Sequence, residues 1–243
     1  MEKKHHRSGG FSESVNVEAL KEQAGIEACR FVKTGMAVGL GTGSTVKYTI
    51  LELGRRVREE GLDIVGVPTS VATATLAEAQ GIPLVALDDV DGLDVVIDGT
   101  DEFDPSFHLI KGGGAALLRE KIVAQASKRM IVVADSKKEV DTLGAFPLPI
   151  EVTPFASGTT VRALAELLGC TVTVRQKDGQ DVVTDNGNLI ADAHTGPTLS
   201  DPVAVEQAVL SIAGVVQVGL FTDMCDVVVM ASSDGVATLV KPS

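Results

Sequence analysis

The chain has 243 residues, enough for one large domain or two modest ones. Its hydrophobic fraction of 44% can build a core without disulfide or metal support, and its formal net charge of −12 disfavours general binding to nucleic acid or to anionic membranes. Aromatic residues are only 3% of the chain, so we expect a core of Val, Leu, Ile and Ala, the usual filling of a parallel sheet covered by helices.

Strands and helices alternate in the first half of the chain. Apolar residues recur at helical spacing in the segments 17–33, 46–57, 71–80 and 115–126. Short apolar runs that predict strands lie at 36–40, 64–67, 84–87, 95–97, 109–110 and 130–134. This alternation predicts a mostly parallel sheet with right-handed crossovers.

The pattern changes after the Pro-rich segment 144–149. The elements predicted beyond it are strand 150–153, helix 159–168, strand 172–175, strand 188–193, helix 203–212 and strand 215–220. This βαββαβ order is typical of a ferredoxin-like unit, and we expect the last apolar stretch, 226–240, to return to the first sheet.

The predicted fold class is therefore α/β, with two domains. A Rossmann-like, mostly parallel sheet domain takes residues 13–144 plus 222–243, and a second, smaller ferredoxin-like α+β domain takes 145–221. Residues 1–12, which include an adjacent His pair, are expected to form a disordered tail.

Cysteine usage and hydropathy bear on location. Three widely spaced cysteines without a CxxC pair argue against a disulfide framework or a zinc site, and indicate buried thiols in a reducing compartment. No apolar run approaches a membrane span, and the N-terminus lacks the apolar segment of a signal peptide. We expect a soluble, cytoplasmic protein.

Three glycine-rich junctions are candidates for chemistry, and the first is GLGTGST at 39–45. A strand, a glycine loop and a helix start bring free N–H groups together, which favours an anion, and Thr42, Ser44 and Thr45 add hydroxyl donors. A tight turn with an N-cap would use similar residues. The third glycine of a dinucleotide fingerprint is missing, and the chain has no GxxxxGK[ST] loop, which speaks against an ATPase or kinase.

The second junction is DGTDE at 98–102, directly after a predicted buried strand. Asp98 and Asp101 could accept hydrogen bonds from one polyhydroxylated molecule at the carboxyl edge of the sheet. Two carboxylates could also hold a metal, although no His or Cys accompanies them, or they could bond local backbone N–H groups in a turn. Spacing alone leaves these alternatives open.

The third junction is KGGGAALLREK at 111–121, where three glycines precede a helix and Lys111 adds a cation. Glu120 shares its helix face with four apolar residues, three or four positions away, that would partly desolvate it. That environment raises the pKa of a carboxyl toward neutrality, as a general base needs. A surface Glu paired with Arg119 or Lys121 is the plainer alternative, but sequence neighbours point away from each other on a helix.

Together these three motifs, with FPLPIEV at 146–152, VVTDNGN at 182–188 and GVVQVGLF at 214–221, closely resemble type A ribose-5-phosphate isomerases. The resemblance covers nearly the whole chain in the family's order. It implies reversible conversion of D-ribose 5-phosphate to D-ribulose 5-phosphate through an enediolate, in the non-oxidative pentose phosphate pathway, without metal or organic cofactor. The family's usual Gly-Ala-Asp-Glu reads Gly-Thr-Asp-Glu here, with Thr100 in the turn.

The resemblance also implies the site residues. Glu120 would be the base, with Asp98 and Lys111 as further catalytic residues. The implied substrate-binding residues are Thr42, Gly43, Ser44, Thr45, Asp98, Gly99, Thr100, Asp101, Lys111, Gly112, Gly113, Gly114 and Lys138. Lys137 is an alternative to Lys138, while the isolated His108 and His194 are expected to be structural or exposed.

The implied partner is a small sugar phosphate, with no nucleic acid or membrane, and the implied assembly is a homodimer or homotetramer. A noncatalytic sugar-phosphate sensor of the same fold is one rival, but it would carry a helix-turn-helix segment for which the chain has no obvious room. Amino-sugar phosphate deaminases and CoA transferases share the architecture, but segment 111–121 matches the pentose isomerases better.

Overall fold

The computed structural model describes residues 17–243, so the predicted tail at 1–12 lies outside the described residues. The α-helices in the described part are α1 (Val17–Ala28), α2 (Val46–Glu60), α3 (Val71–Ala79), α4 (Leu117–Gln125), α5 (Ser157–Leu168) and α6 (Pro202–Leu210). Between residues 17 and 243 no helix has the length and apolar character needed to span a bilayer.

Strands alternate with these helices in the first half of the fold and dominate the second half. They are β1 (Ala37–Leu40), β2 (Val65–Pro68), β3 (Val95–Gly99), β4 (Glu102–Phe103), β5 (Leu109–Ile110), β6 (Met130–Asp135), β7 (Leu148–Val152), β8 (Thr171–Val174), β9 (Gln176–Lys177), β10 (Gln180–Asp181), β11 (Leu189–His194), β12 (Val215–Val218), β13 (Leu220–Phe221), β14 (Val227–Ser232) and β15 (Gly235–Val240).

A six-stranded sheet in the order β15-β14-β6-β3-β1-β2 forms the centre of the fold. Neighbouring strands are parallel except in the β14–β15 hairpin. Buried aliphatic side chains cover both faces, with α1 and α2 on one face and α4 on the other. The predicted mostly parallel α/β sheet is thus confirmed, as is the return of the C-terminal strands to it.

A second sheet has the order β12-β7-β11-β8, with every neighbouring pair antiparallel. When these four strands are numbered in chain order, their order across the sheet is fourth, first, third and second. This is the strand order of a ferredoxin-like βαββαβ unit. Helices α5 and α6 contribute Leu164 and Val209 to its buried core. The small sheet β13-β5-β4 links this unit to the first, and the division into two domains stays a prediction.

The structure differs from the sequence prediction in several places, most clearly in three. Only Leu84 of the predicted strand 84–87 forms a bridge, to Gly66, because the chain then turns into a 3-10 helix at Leu87–Asp89. Helix α4 begins at Leu117 rather than 115, since Ala115 has a φ of +58° and cannot continue a right-handed helix. A hairpin of β9 and β10, absent from the prediction, follows β8.

Close packing of α4 on the sheet depends on Gly39 in β1. A Cβ at this position would lie 2.7 Å from Val123 Cγ1 of α4 and 2.8 Å from Val96 Cγ2 of β3. The missing side chain therefore sets the distance at which α4 packs over the carboxyl ends of β1 and β3.

We expect Gly39→Ala to lower the free energy of unfolding by about 1–3 kcal/mol, because the added methyl overpacks a rigid contact. The control is Gly158→Ala in α5, where a Cβ meets nothing closer than Arg162 Nη1 at 3.6 Å and should be neutral or slightly stabilising. Urea unfolding of both variants measures the difference, and equal midpoints would contradict the packing argument.

Candidate active site

The three glycine-rich junctions meet at the carboxyl edge of the central sheet around one open cavity of about 440 Å³, counting its mouth. Open α/β sheets bind their ligands at this edge. The lining residues are Thr42, Gly43, Ser44, Thr45, Gly99, Thr100, Asp101, Lys111, Gly112, Gly113, Gly114, Glu120 and Lys138. Segments far apart in the sequence, from residue 42 to residue 138, thus form one site.

Lys111 lies between two carboxylates at the floor of this cavity. Its Nζ is 3.3 Å from Asp98 Oδ2 and 3.2 Å from Glu120 Oε2, and it donates a hydrogen bond to the carbonyl of Gly99. The three side chains are at most 4% exposed. Water screens this cluster poorly, so each charge strongly affects the others.

Asp98 lies beneath the cavity rather than along its wall. Its Oδ1 accepts hydrogen bonds from the N–H groups of Gly99, at 2.8 Å, and Thr42, at 3.1 Å. Its carboxylate has no exposed surface, so it joins the first two glycine junctions to Lys111. A direct contact between Asp98 and a sugar stays a prediction.

Burial raises the pKa of Glu120 to about 8, and the nearby charge of Asp98 adds to this effect while Lys111 opposes it. Burial also raises the pKa of Asp98, but the two N–H donors on that carboxylate favour its charged form. With a pKa of about 8, Glu120 holds a proton near neutral pH. Burial disfavours the charge of Lys111, yet the two carboxylates outweigh burial and raise its pKa.

The Gly112–Gly114 loop is held in an uncommon backbone conformation. Gly112 has a φ of +114°, and a Cβ there would lie 2.8 Å from Pro149 Cβ. The N–H of Gly113 donates to Asp101 Oδ2 at 2.8 Å, so Asp101 both lines the cavity and fastens the loop. Thr100, in the neighbouring turn, donates its hydroxyl to the carbonyls of Glu102 and Ile110 and so stabilises that turn.

Hydroxyl groups behind the first junction were missed in the sequence analysis. Thr42 Oγ1 lies 2.8 Å from both Thr69 Oγ1 and Ser70 Oγ, and 3.2 Å from Thr73 Oγ1. The available signal was the Pro-Thr-Ser segment at 68–70, where β2, the strand next to β1, ends. These groups hold Thr42 at the cavity edge, beside the N-terminus of α2.

The remaining candidates from the sequence analysis divide between the cavity and other parts of the fold. Lys138 lines the cavity whereas Lys137 is exposed and does not, and His194 pairs with Thr173 Oγ1 at 3.1 Å in the second sheet. Cys29, Cys170 and Cys225 are free thiols. Among residues 17–243, no three His, Cys, Asp or Glu side chains are grouped so that they could hold a metal ion.

Comparison with known proteins shows the family of the chain. A family model described as ribose 5-phosphate isomerase A (phosphoriboisomerase A) matches residues 65–235. A protein called ribose-5-phosphate isomerase A from Rhodopseudomonas palustris (strain HaA2) is 49% identical over 231 residues, covering 93% of this chain and 99% of that protein.

Two solved structures are similar along nearly their whole length. Ribose 5-phosphate isomerase A from Methanocaldococcus jannaschii has a TM-score of 0.88 and 42% identity, covering 93% of this chain and 100% of that one. A D-ribose-5-phosphate isomerase in complex with phospho-erythronic acid has a TM-score of 0.89 and 42% identity, with the same coverage.

The raised pKa of Glu120 predicts how stability depends on pH. Between about pH 5 and 8 the folded protein keeps a proton that the unfolded chain releases, so the free energy of unfolding should fall as pH rises, by at most about 1.4 kcal/mol per pH unit. Glu120→Gln removes this proton and should flatten the dependence, as measured by urea unfolding at several pH values.

The matched control is Glu166→Gln, on the exposed side of α5, which should keep the wild-type dependence. A Glu120→Gln variant with the wild-type slope would show that Glu120 does not carry the retained proton.

Proposed function

Because the chain belongs to the ribose 5-phosphate isomerase A family and is an isomerase of ribose 5-phosphate, we propose that Glu120 is the base that moves a proton between C1 and C2 of the sugar. The observation that carries this assignment is a buried carboxyl on the cavity wall whose pKa is raised to about 8. A base with a pKa near the working pH transfers protons in both directions, as a reversible isomerisation requires.

The proton balance of the reaction needs no other reactant. Glu120 removes the proton from C2 of the open-chain aldose, which leaves an enediolate across C1 and C2. Glu120 then returns the proton to C1, while the hydroxyl hydrogen moves from O2 to O1, and the product is the ketose. In the reverse direction the same carboxylate removes a proton from C1.

Lys111 is proposed to stabilise the negative charge that develops on the enediolate oxygens. Its pKa is raised by Asp98 and Glu120, so it stays a cation throughout the reaction. Asp98, out of reach of solvent, holds the ammonium in place, and the Gly112–Gly114 loop adds backbone N–H groups beside it. Preorganised donors of this kind cost little reorganisation when the charge forms.

The phosphate group is proposed to bind at the N-terminus of α2. Gly43, Ser44 and Thr45 line this end of the cavity, where free backbone N–H groups and the helix dipole favour an anion. Lys138 also lines the cavity and supplies a positive charge there, although the whole chain has a formal net charge of −12. Binding the nonreacting phosphate positions C1 and C2 against Glu120, and Asp101 is placed to accept a sugar hydroxyl.

Further proposals concern ligand, assembly and location. We propose that this chain also binds phospho-erythronic acid, since its carboxylate resembles the enediolate. We propose that the protein is a homodimer. Ile122 is 47% exposed and lines an open apolar groove together with Val85 and Leu87, and a second copy of the chain would cover this groove. A cytoplasmic location agrees with three free cysteines.

Replacing the base should abolish most turnover without loss of binding. We expect Glu120→Gln to lower kcat by about 10²–10⁴-fold with little change in KM, because the amide keeps the shape of the carboxyl but cannot accept the proton. A coupled assay for ribulose 5-phosphate, run with EDTA, measures this, with Glu166→Gln as the active control. Turnover close to wild type in Glu120→Gln would remove Glu120 from this role.

The pH profile gives a second test. Since the base must be unprotonated, kcat/KM should rise with pH through an apparent pKa near 8, well above the usual range of a glutamate. An acid limb near the ordinary glutamate pKa of about 4.3 would contradict the assignment.

A further inference from the structure

Arg175, which directly follows β8 in the second sheet, contacts the back of the glycine loop without lining the cavity. Its Nη1 donates to the carbonyl oxygens of Gly112 and Gly113, at 2.9 and 3.0 Å. The rest of the guanidinium forms a bidentate pair with Asp192 of β11, at 2.9 and 2.7 Å. Sequence analysis assigned no role to either residue.

This contact determines where the loop's N–H groups point. The described chain has no cis peptide bond, and in a trans peptide the C=O and N–H groups point in opposite directions. The Gly113 carbonyl faces Arg175, so the N–H of Gly114 in the same peptide faces away from Arg175, on the side of the cavity that Gly114 lines. Within residues 17–243 this N–H has no hydrogen-bond partner, whereas that of Gly113 is bonded to Asp101.

We propose that Arg175, held by Asp192, is a positioning residue that aims the Gly114 N–H at the oxygen on which negative charge develops. This inference rests on the proposed enediolate mechanism. A charged donor on the carbonyl side of a peptide also polarises the N–H of that peptide and strengthens it as a donor.

The backbone at both ends of the loop shows why an external support is needed. Gly112 and Ala115 both have positive φ angles, and for Ala115 this conformation is strained. Inside the loop one bond, from the N–H of Ala115 to the carbonyl of Gly112, resists relaxation. Without Arg175 the Gly113–Gly114 peptide can rotate, and the Gly114 N–H would lose its direction.

The test compares a double variant that removes the charges of Arg175 and Asp192 with a single variant that keeps the charge at position 175. Arg175→Met combined with Asp192→Asn removes both charges, so that the partly buried carboxylate of Asp192 is not left unpaired. Arg175→Lys keeps the charge but not the planar fork. The control is Arg162→Met, an exposed arginine of α5 whose one side-chain hydrogen bond within residues 17–243 goes to its neighbour Thr159.

We expect the double variant to lower kcat by about 10- to 100-fold with KM changed by less than about threefold, because the donor acts on charge that appears only in the transition state. Affinity for phospho-erythronic acid should fall by the same factor as kcat/KM, while affinity for inorganic phosphate stays at the wild-type value. Arg175→Lys should lie between the double variant and wild type, and Arg162→Met should match wild type.

Unchanged kcat in the double variant would overturn the inference, as would a raised KM at normal kcat, or a fall in kcat without weaker phospho-erythronic acid binding. If the double variant does not fold, the kcat, KM and phospho-erythronic acid affinity of Arg175→Lys test the inference instead. Wild-type protein that fails to turn over ribose 5-phosphate would instead count against the proposed function.

Discussion

The site depends on one buried ammonium group shared by two carboxylates. Lys111 neutralises Asp98 and approaches Glu120, and the three groups lie where water cannot screen them. One positive charge cannot satisfy two negative charges there, so the cluster favours a proton on Glu120. In the proposed mechanism Glu120 takes a proton from C2 of the sugar and returns it to C1, and a carboxyl that binds a proton near neutral pH fits both steps. The same arrangement keeps Lys111 charged, as its proposed role toward the enediolate requires.

The rest of the fold holds this cluster in place from two directions. From below, β1 and β3 end at the cavity floor, and Gly39 lets α4 pack closely enough to bring Glu120 over them. From the side, buried Lys121 donates to the carbonyls of Val218 and Leu220, which fastens α4 to the segment that ends the second sheet. The ferredoxin-like unit therefore supports α4, the helix that carries Glu120, as well as forming a separate layer of structure.

This arrangement reduces stability where it serves chemistry. Asp98 Oδ2 and Glu120 Oε2 are buried at ion-pair distance from Lys111, but neither has a well-aligned hydrogen bond. Buried polar atoms without a well-aligned hydrogen bond lower the free energy of unfolding, and the strained backbone of Ala115 lowers it further. A strained backbone and unbonded buried oxygens persist only where the surrounding structure holds them in place. Arg175, Asp101 and Lys121 supply the contacts that do so.

Local patterns in the sequence determined the alternation of strands and helices, the three glycine junctions and the apolar face around Glu120. These features depend on residues within four positions of one another, so a single sequence reveals them. Tertiary structure alone decided that Asp98 lies under the cavity, that Lys111 lies between two carboxylates, and that Arg175 supports the glycine loop from 62 residues away. Those contacts join strands that only pair in the folded sheet, and no periodicity along the chain encodes the distance between them.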